Sequence, residues 1–183
     1  MRVFVAGAVG RRLVPLLVSA GHSVVGMTRT PAKADAIRGA GGEAAVADAL
    51  NRAATVEAVA IAKPDAIVHE MTSLSAANDL RRFDETFVVT NRLRTEGLNN
   101  LLAAAKQAGT PRIVVQSFCG WPYARVGGPV KSEDDPLDPE PPRQFIPRGA
   151  KASQKYCRKQ MIADGREPIE WHAAPPFSSH SYR

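Results

Sequence analysis

Residues 1–29 read MRVFVAGAVGRRLVPLLVSAGHSVVGMTR. Arg2–Ala6 is a short apolar strand. Val9, Leu13, Leu16, Leu17 and Ala20 then recur at helical spacing, and Gly21 stops the helix. Pro15 falls inside that helix and removes one of its bonds. Ser23–Met27 is a second strand. Strand, glycine turn, helix and strand in this order form a βαβ unit, and the turn carries only Gly7 and Gly10, as G-x-x-G. Such a turn points the free N–H groups of a helix start at a phosphate. It also suits any tight strand-to-helix connection.

The alternation continues outward. A helix is expected over residues 31–39 and a strand at EAAVA, 43–47. An alanine-rich helix follows over 51–62, with Asn51 as its cap, and then the strand AIVHE, 66–70. Residues 80–108 read mostly as one long helix ended by Gly109, and RIVVQS, 112–117, as a fifth strand. The strands are short, apolar and β-branched, as in strands buried on both faces. The expected fold is therefore α/β, a doubly wound parallel sheet of the Rossmann kind, ordered 3-2-1-4-5, with any ligand at the carboxyl edges of strands 1 and 4. Residues 1–140 are assigned to this domain. Residues 141–183 are read as a basic, proline-containing, poorly structured tail.

Charge places the same boundary. The net charge is +6, but residues 1–142 hold 16 basic against 15 acidic side chains, and residues 143–183 hold 8 against 3. The excess belongs to the tail, so no specific nucleic-acid partner is expected. With no long apolar run and no secretory leader pattern, neither a membrane span nor export is expected, and the location is read as cytoplasmic. Cys119 and Cys157 lack metal spacing and are read as free thiols. The segment SEDDPLDPE, 132–140, has five acids but no calcium-loop spacing. No metal is assigned.

RVFVAGAVGRRL, VVGMTR, VADAL, AIVHE, TNRLRTEGLNNLLAAAKQAG and RIVVQSF occur in order. With these segments the chain resembles the extended short-chain dehydrogenase/reductase superfamily, in its NAD(P)-dependent epimerase/dehydratase branch, over about residues 1–140. The resemblance implies a cofactor site at Gly7, Ala8 and Gly10, with Arg29, Asp48, Ala49, His69 and Asn91 around it. Arg29 ends strand 2, where an arginine suits the 2′-phosphate of NADP, with NAD also admitted; it is equally an ordinary solvated residue. Asp48 would sit over the adenine edge or cap a helix. His69 and Glu70 would lie near the nicotinamide ribose. Asn91 would help fix the active site or serve as a buried structural amide.

Three departures qualify this. The family's G-x-x-G-x-x-G turn is short by three residues here. The Y-x-x-x-K acid/base pair is absent: Tyr123 is followed at that spacing by Gly127, and Tyr156 by Gln160. Lys159, one residue short, makes Tyr156 and Lys159 a degraded pair, with Ser117 as the substrate-holding hydroxyl, although one alignment puts Cys119 in that place. The substrate lobe is not found. The expected function is hydride transfer with a small hydroxyl or carbonyl substrate, and a homodimer is admitted. The alternatives are a non-catalytic NADP(H) sensor or interaction domain, or a truncated inactive product.

Overall fold

The computed structural model describes residues 1–7, 10–73, 87–116, 123–124, 126–128, 130 and 135–136. Two compact units divide the chain, Met1–Gln116 and Ser117–Arg183. In the second, the Ala124 N–H donates to the Pro136 carbonyl at 2.8 Å. Residues 141–183 lie outside the described residues.

In the first unit β1 (Arg2–Gly7), α1 (Gly10–Ser19), β2 (Ser23–Thr28), α2 (Pro31–Gly39), β3 (Glu43–Val46), α3 (Arg52–Ala62) and β4 (Ala66–Glu70) follow one another. After them come α4 (Val88–Arg92), a π-helical turn (Leu93–Gly97), α5 (Leu98–Ala108) and β5 (Arg112–Val115). The strands form one sheet in the order β3-β2-β1-β4-β5, all pairs parallel. The sheet is therefore doubly wound, as the alternating pattern predicts.

Alternation along the strands divides the core between two faces. Phe4, Ala6, Val25, Met27 and Ile67 pack with Val59 of α3 and Leu101 and Ala104 of α5. Val3, Val5 and Val24 pack on the other face against Val14 of α1, joined by Leu13, Leu17 and Val68. Burial of both faces is complete only in the central strands. The edge strands β3 and β5 leave Val46 and Val114 exposed.

Local chemistry explains the ends. The Asn51 side chain accepts from the Ala54 N–H at 3.1 Å and starts α3. Gly109, at φ 68°, ends α5. Pro31 occupies the first turn of α2, where no N–H is needed. Pro15 is accommodated inside α1, a helix held by its apolar stripe. The long helix expected over 80–108 is described from residue 88 and is interrupted by the π turn. There the Thr95 hydroxyl donates to the Asn91 carbonyl at 2.8 Å, supplying a donor where the wider turn displaces the main-chain one.

At the amino edge of the sheet the Arg2 guanidinium makes two 2.8 Å bonds to Glu43 and a 2.6 Å bond to the Ala62 carbonyl, joining β1, β3 and α3. At the carboxyl edge β1 and β4 meet through a glycine. Gly7 has φ +142°, and a Cβ there would run into the Glu70 carbonyl group and stand 2.8 Å from the Met71 nitrogen. Both obstacles are main chain and cannot turn aside. Gly7→Ala is expected to cost about 3 kcal/mol in urea unfolding, from backbone strain and overpacking together. A loss below about 1 kcal/mol would show that the strands part to make room.

Candidate functional site

The sheet order places the crevice at the carboxyl ends of β1 and β4, where α1 leaves on one face and the helix after β4 packs on the other. Only Ala8 and Val9 separate β1 from α1, and both lie outside the described residues. Gly10 is the first residue of α1, so the unbonded N–H groups of that helix begin three residues after Gly7. The Gly7 geometry fits a dinucleotide turn, because the main chain there leaves no room for a side chain.

Arg29 directly follows β2, is exposed, and has no hydrogen-bond partner among the described residues. Its position fits the end of an adenosine ribose. Asp48 is half-buried in the loop after β3. Its Oδ1 accepts from the Leu50 N–H at 2.9 Å, and its carbonyl accepts from the Thr55 hydroxyl at 3.2 Å. The capping alternative for Asp48 is corrected by this, since the cap of α3 is Asn51. The Asp48 carboxylate instead holds a tight turn of its own loop.

Ala49 is buried, and its carbonyl accepts from the Asn100 side-chain amide at 2.8 Å. The sequence pattern does not single out Asn100. Nothing in an NN pair tells which amide points inward; the burial of Asn100 does. Gly97 adds the second contact of this kind: a Cβ there would come within 3.1 Å of the Met71 methyl and 3.5 Å of Ala49.

His69 is placed differently from the expectation of a cofactor contact. Its ring is 1 % exposed and lies on the α5 side of the sheet, with Nε2 at 3.3 Å from the Leu93 carbonyl. Because that carbonyl can only accept, Nε2 carries the proton. Among the described residues Nδ1 has no hydrogen-bond partner. Burial, with a smaller contribution from the Arg94 charge, brings the imidazole down to about 4. The correction is physical: alternation turns His69 toward the helices, and turns Glu70 toward α1.

Asn91 is half-buried on α4, with its N–H on the Phe87 carbonyl at 2.7 Å. Beside it the buried Thr90 hydroxyl accepts from the Ser73 N–H at 2.9 Å, tying the chain after β4 to the helix. Ser117, Tyr156 and Lys159 lie outside the described residues. Among the described residues no group of three or more His, Cys, Asp or Glu side chains could hold a metal ion. Nor, among them, is any helix long and apolar enough to cross a membrane.

The profile of a family described as NAD(P)H-binding matches residues 5–155. The chain is 43% identical over 141 residues to a 3-diazoavenalumate denitrifying reductase of Streptomyces sp, an alignment that takes in 75% of this chain and 44% of that protein. The UDP-glucose 4-epimerase of Thermus thermophilus, solved with NAD, superposes with a TM-score of 0.71 at 22% identity, covering 91% of this chain and 53% of that one. The Bifidobacterium longum UDP-glucose 4-epimerase, solved with NAD+ and UDP, superposes with a TM-score of 0.70 at 14% identity, covering 90% and 50%. The chain thus spans about half the length of the proteins it matches. The fold is the one these extended short-chain dehydrogenase/reductases share.

His69 makes the stability depend on pH. The imidazole titrates near 4 in the folded chain and near 6.5 when unfolded. Between these values the unfolded chain binds the extra proton, so stability rises with pH across the window and is lost on acidification. A difference of this size corresponds to about 3 kcal/mol. Urea unfolding from pH 7 to pH 4 is expected to show this loss in the parent protein and not in His69→Gln. Equal slopes in the two proteins would refute the burial of a neutral imidazole.

Proposed function

The chain belongs to the NAD(P)H-binding family, and on that premise we propose that it is an oxidoreductase-type binder of NADP(H), acting on a small molecule that carries a hydroxyl or carbonyl group. The observation that carries the reading is the carboxyl edge at β1 and β4. Gly7 clears the main chain there, α1 starts three residues later, and Arg29 stands exposed at the end of β2. When bound, the nicotinamide supplies or accepts a hydride. Gly7, Ala8 and Gly10 would face the pyrophosphate and Arg29 the 2′-phosphate. Asp48 and Ala49 would border the adenine. Asn91 would line the nicotinamide end, and Ser117, Tyr156 and Lys159 would hold the substrate oxygen and move its proton. The relative named a reductase supports reduction of the substrate as the direction.

A second reading is a non-catalytic NADP(H) sensor. It is favoured by the lack of a lysine four residues after either Tyr123 or Tyr156. Fluorescence titration with NADPH, followed by turnover across a panel of carbonyl compounds, separates the two. Binding with turnover supports the oxidoreductase, and binding without turnover the sensor.

NADPH is expected to bind more tightly than NADH. Arg29→Asp should reduce or reverse the preference by about 1.5–3 kcal/mol, the worth of hydrogen bonds to a charged group. An unchanged ratio would remove Arg29 from the site. The short turn should hold the cofactor weakly. Inserting Thr-Gly-Ala between Ala8 and Val9 is expected to raise NADPH affinity at least about tenfold, or about 1.4 kcal/mol. Micromolar binding by the parent with no gain on insertion would show that the shorter turn is sufficient.

A further inference from the structure

Glu70 is the last residue of β4, and it pairs with Gly7. Two residues earlier Val68 pairs with Val5 and packs on the α1 face of the sheet. Side chains alternate along a strand, so Glu70 stands on that same face, one step nearer the carboxyl edge. Its neighbour on β1 has no side chain, and α1 begins three residues beyond that neighbour. Glu70 therefore stands at the carboxyl edge of the sheet beside Gly7, the edge at which the pyrophosphate of a dinucleotide lies in a doubly wound sheet. It is half-buried, and its Oε2 is buried without a hydrogen-bond partner among the described residues.

An ionised carboxyl and a pyrophosphate compete for the same place. Both are drawn to the unbonded N–H groups at the start of α1, and they repel one another at close range. We propose that Glu70 is a specificity-determining residue of the dinucleotide site, which opposes the pyrophosphate when ionised and donates a hydrogen bond to a phosphate oxygen when protonated. The proposal rests on the NAD(P)H-binding reading and adds to it the charge state in which the site accepts its ligand.

The surroundings leave this role to Glu70. On its face β1 presents Val3, Val5 and Gly7, β5 presents Val114 and the exposed Arg112, and α1 packs Leu13, Val14 and Leu17 there, with Arg12 exposed. No charged group among the described residues perturbs the carboxyl. Desolvation by burial alone pushes it above the usual carboxylate range. Acidification thus removes a negative charge from that edge of the sheet.

The test is NADPH titration by fluorescence on the full chain, at about pH 8 and about pH 5, for the parent, Glu70→Gln and Glu70→Asp. Thermal melting at each pH confirms that the proteins are folded. At the higher pH Glu70→Gln is expected to bind about tenfold more tightly than the parent. At the lower pH the gap should narrow to within about threefold, because a larger share of the parent is then protonated. Glu70→Asp, which keeps the charge, should stay weak at the higher pH. Inorganic pyrophosphate as competitor should rank the proteins in the same order, which locates the effect at the phosphates. Equal affinities of parent and Glu70→Gln at the higher pH, or a gap that persists at the lower one, would overturn the role while leaving the cofactor reading intact. If neither NADPH nor NADH binds any of the three proteins at either pH, the cofactor reading falls and the role of Glu70 falls with it.

Discussion

The main chain of Gly7 runs so close to that of Glu70 and Met71 that no side chain fits between them. This single approach brings β1 and β4 together at their carboxyl ends. The helix after β1 packs on one face of the sheet and the helix before β5 on the other, so the strands part company with their helices at that point. The crevice follows from this parting. Arg29, Asp48 and Glu70 come at the carboxyl ends of three different strands, β2, β3 and β4, which the parallel sheet brings to one edge.

Among the described residues, hydrogen bonds at three places hold the helical stretch from Val88 to Ala108 against the sheet. Ser73 bonds Thr90, the His69 ring bonds the Leu93 carbonyl, and Asn100 bonds the Ala49 carbonyl. Each contributes about 1 kcal/mol to stability, far less than the apolar contacts of Leu98 and Leu101 beneath them. What they add is direction. Burial of Leu98 and Leu101 would tolerate a small slide of the helix, whereas bonds to three separate parts of the chain oppose it.

Much of this was legible from the chain itself. The central strands announce themselves as unbroken β-branched runs, and the sheet order follows from five strand–helix alternations and the right-handed crossover. Asn51 reads correctly as a cap, because the pattern of a cap is local. The features that stayed hidden are set by partners distant in sequence. NRLRTEGLNN has an ordinary helical pattern, and only the approach of His69 to Leu93 and of Met71 to Gly97 accompanies a π turn there. His69 looked like a strand-end residue facing a ligand, yet a one-residue change of face decides between the crevice and the core. The inward choice between Asn99 and Asn100 depends on a carbonyl 51 residues away.

The sheet order also carries a consequence for how the chain acquires its structure. Of these five strands β1 is made before the others and ends in the middle of the sheet, with β2 on one side and β4 on the other. Its pairing with β2 joins Arg2 to Ser23, a short loop, while its pairing with β4 joins Val3 to Ala66. As the chain emerges during synthesis, β1, β2 and β3 can associate early, through connections of low closure entropy. Until β4 is synthesised, Phe4 and Val5 have an open strand edge beside them, and such an edge is a template for pairing with the wrong chain. The arrival of β4 covers that edge and in the same step brings Glu70 beside Gly7. The strand that protects the nascent chain from misassembly is thus the strand that completes its crevice.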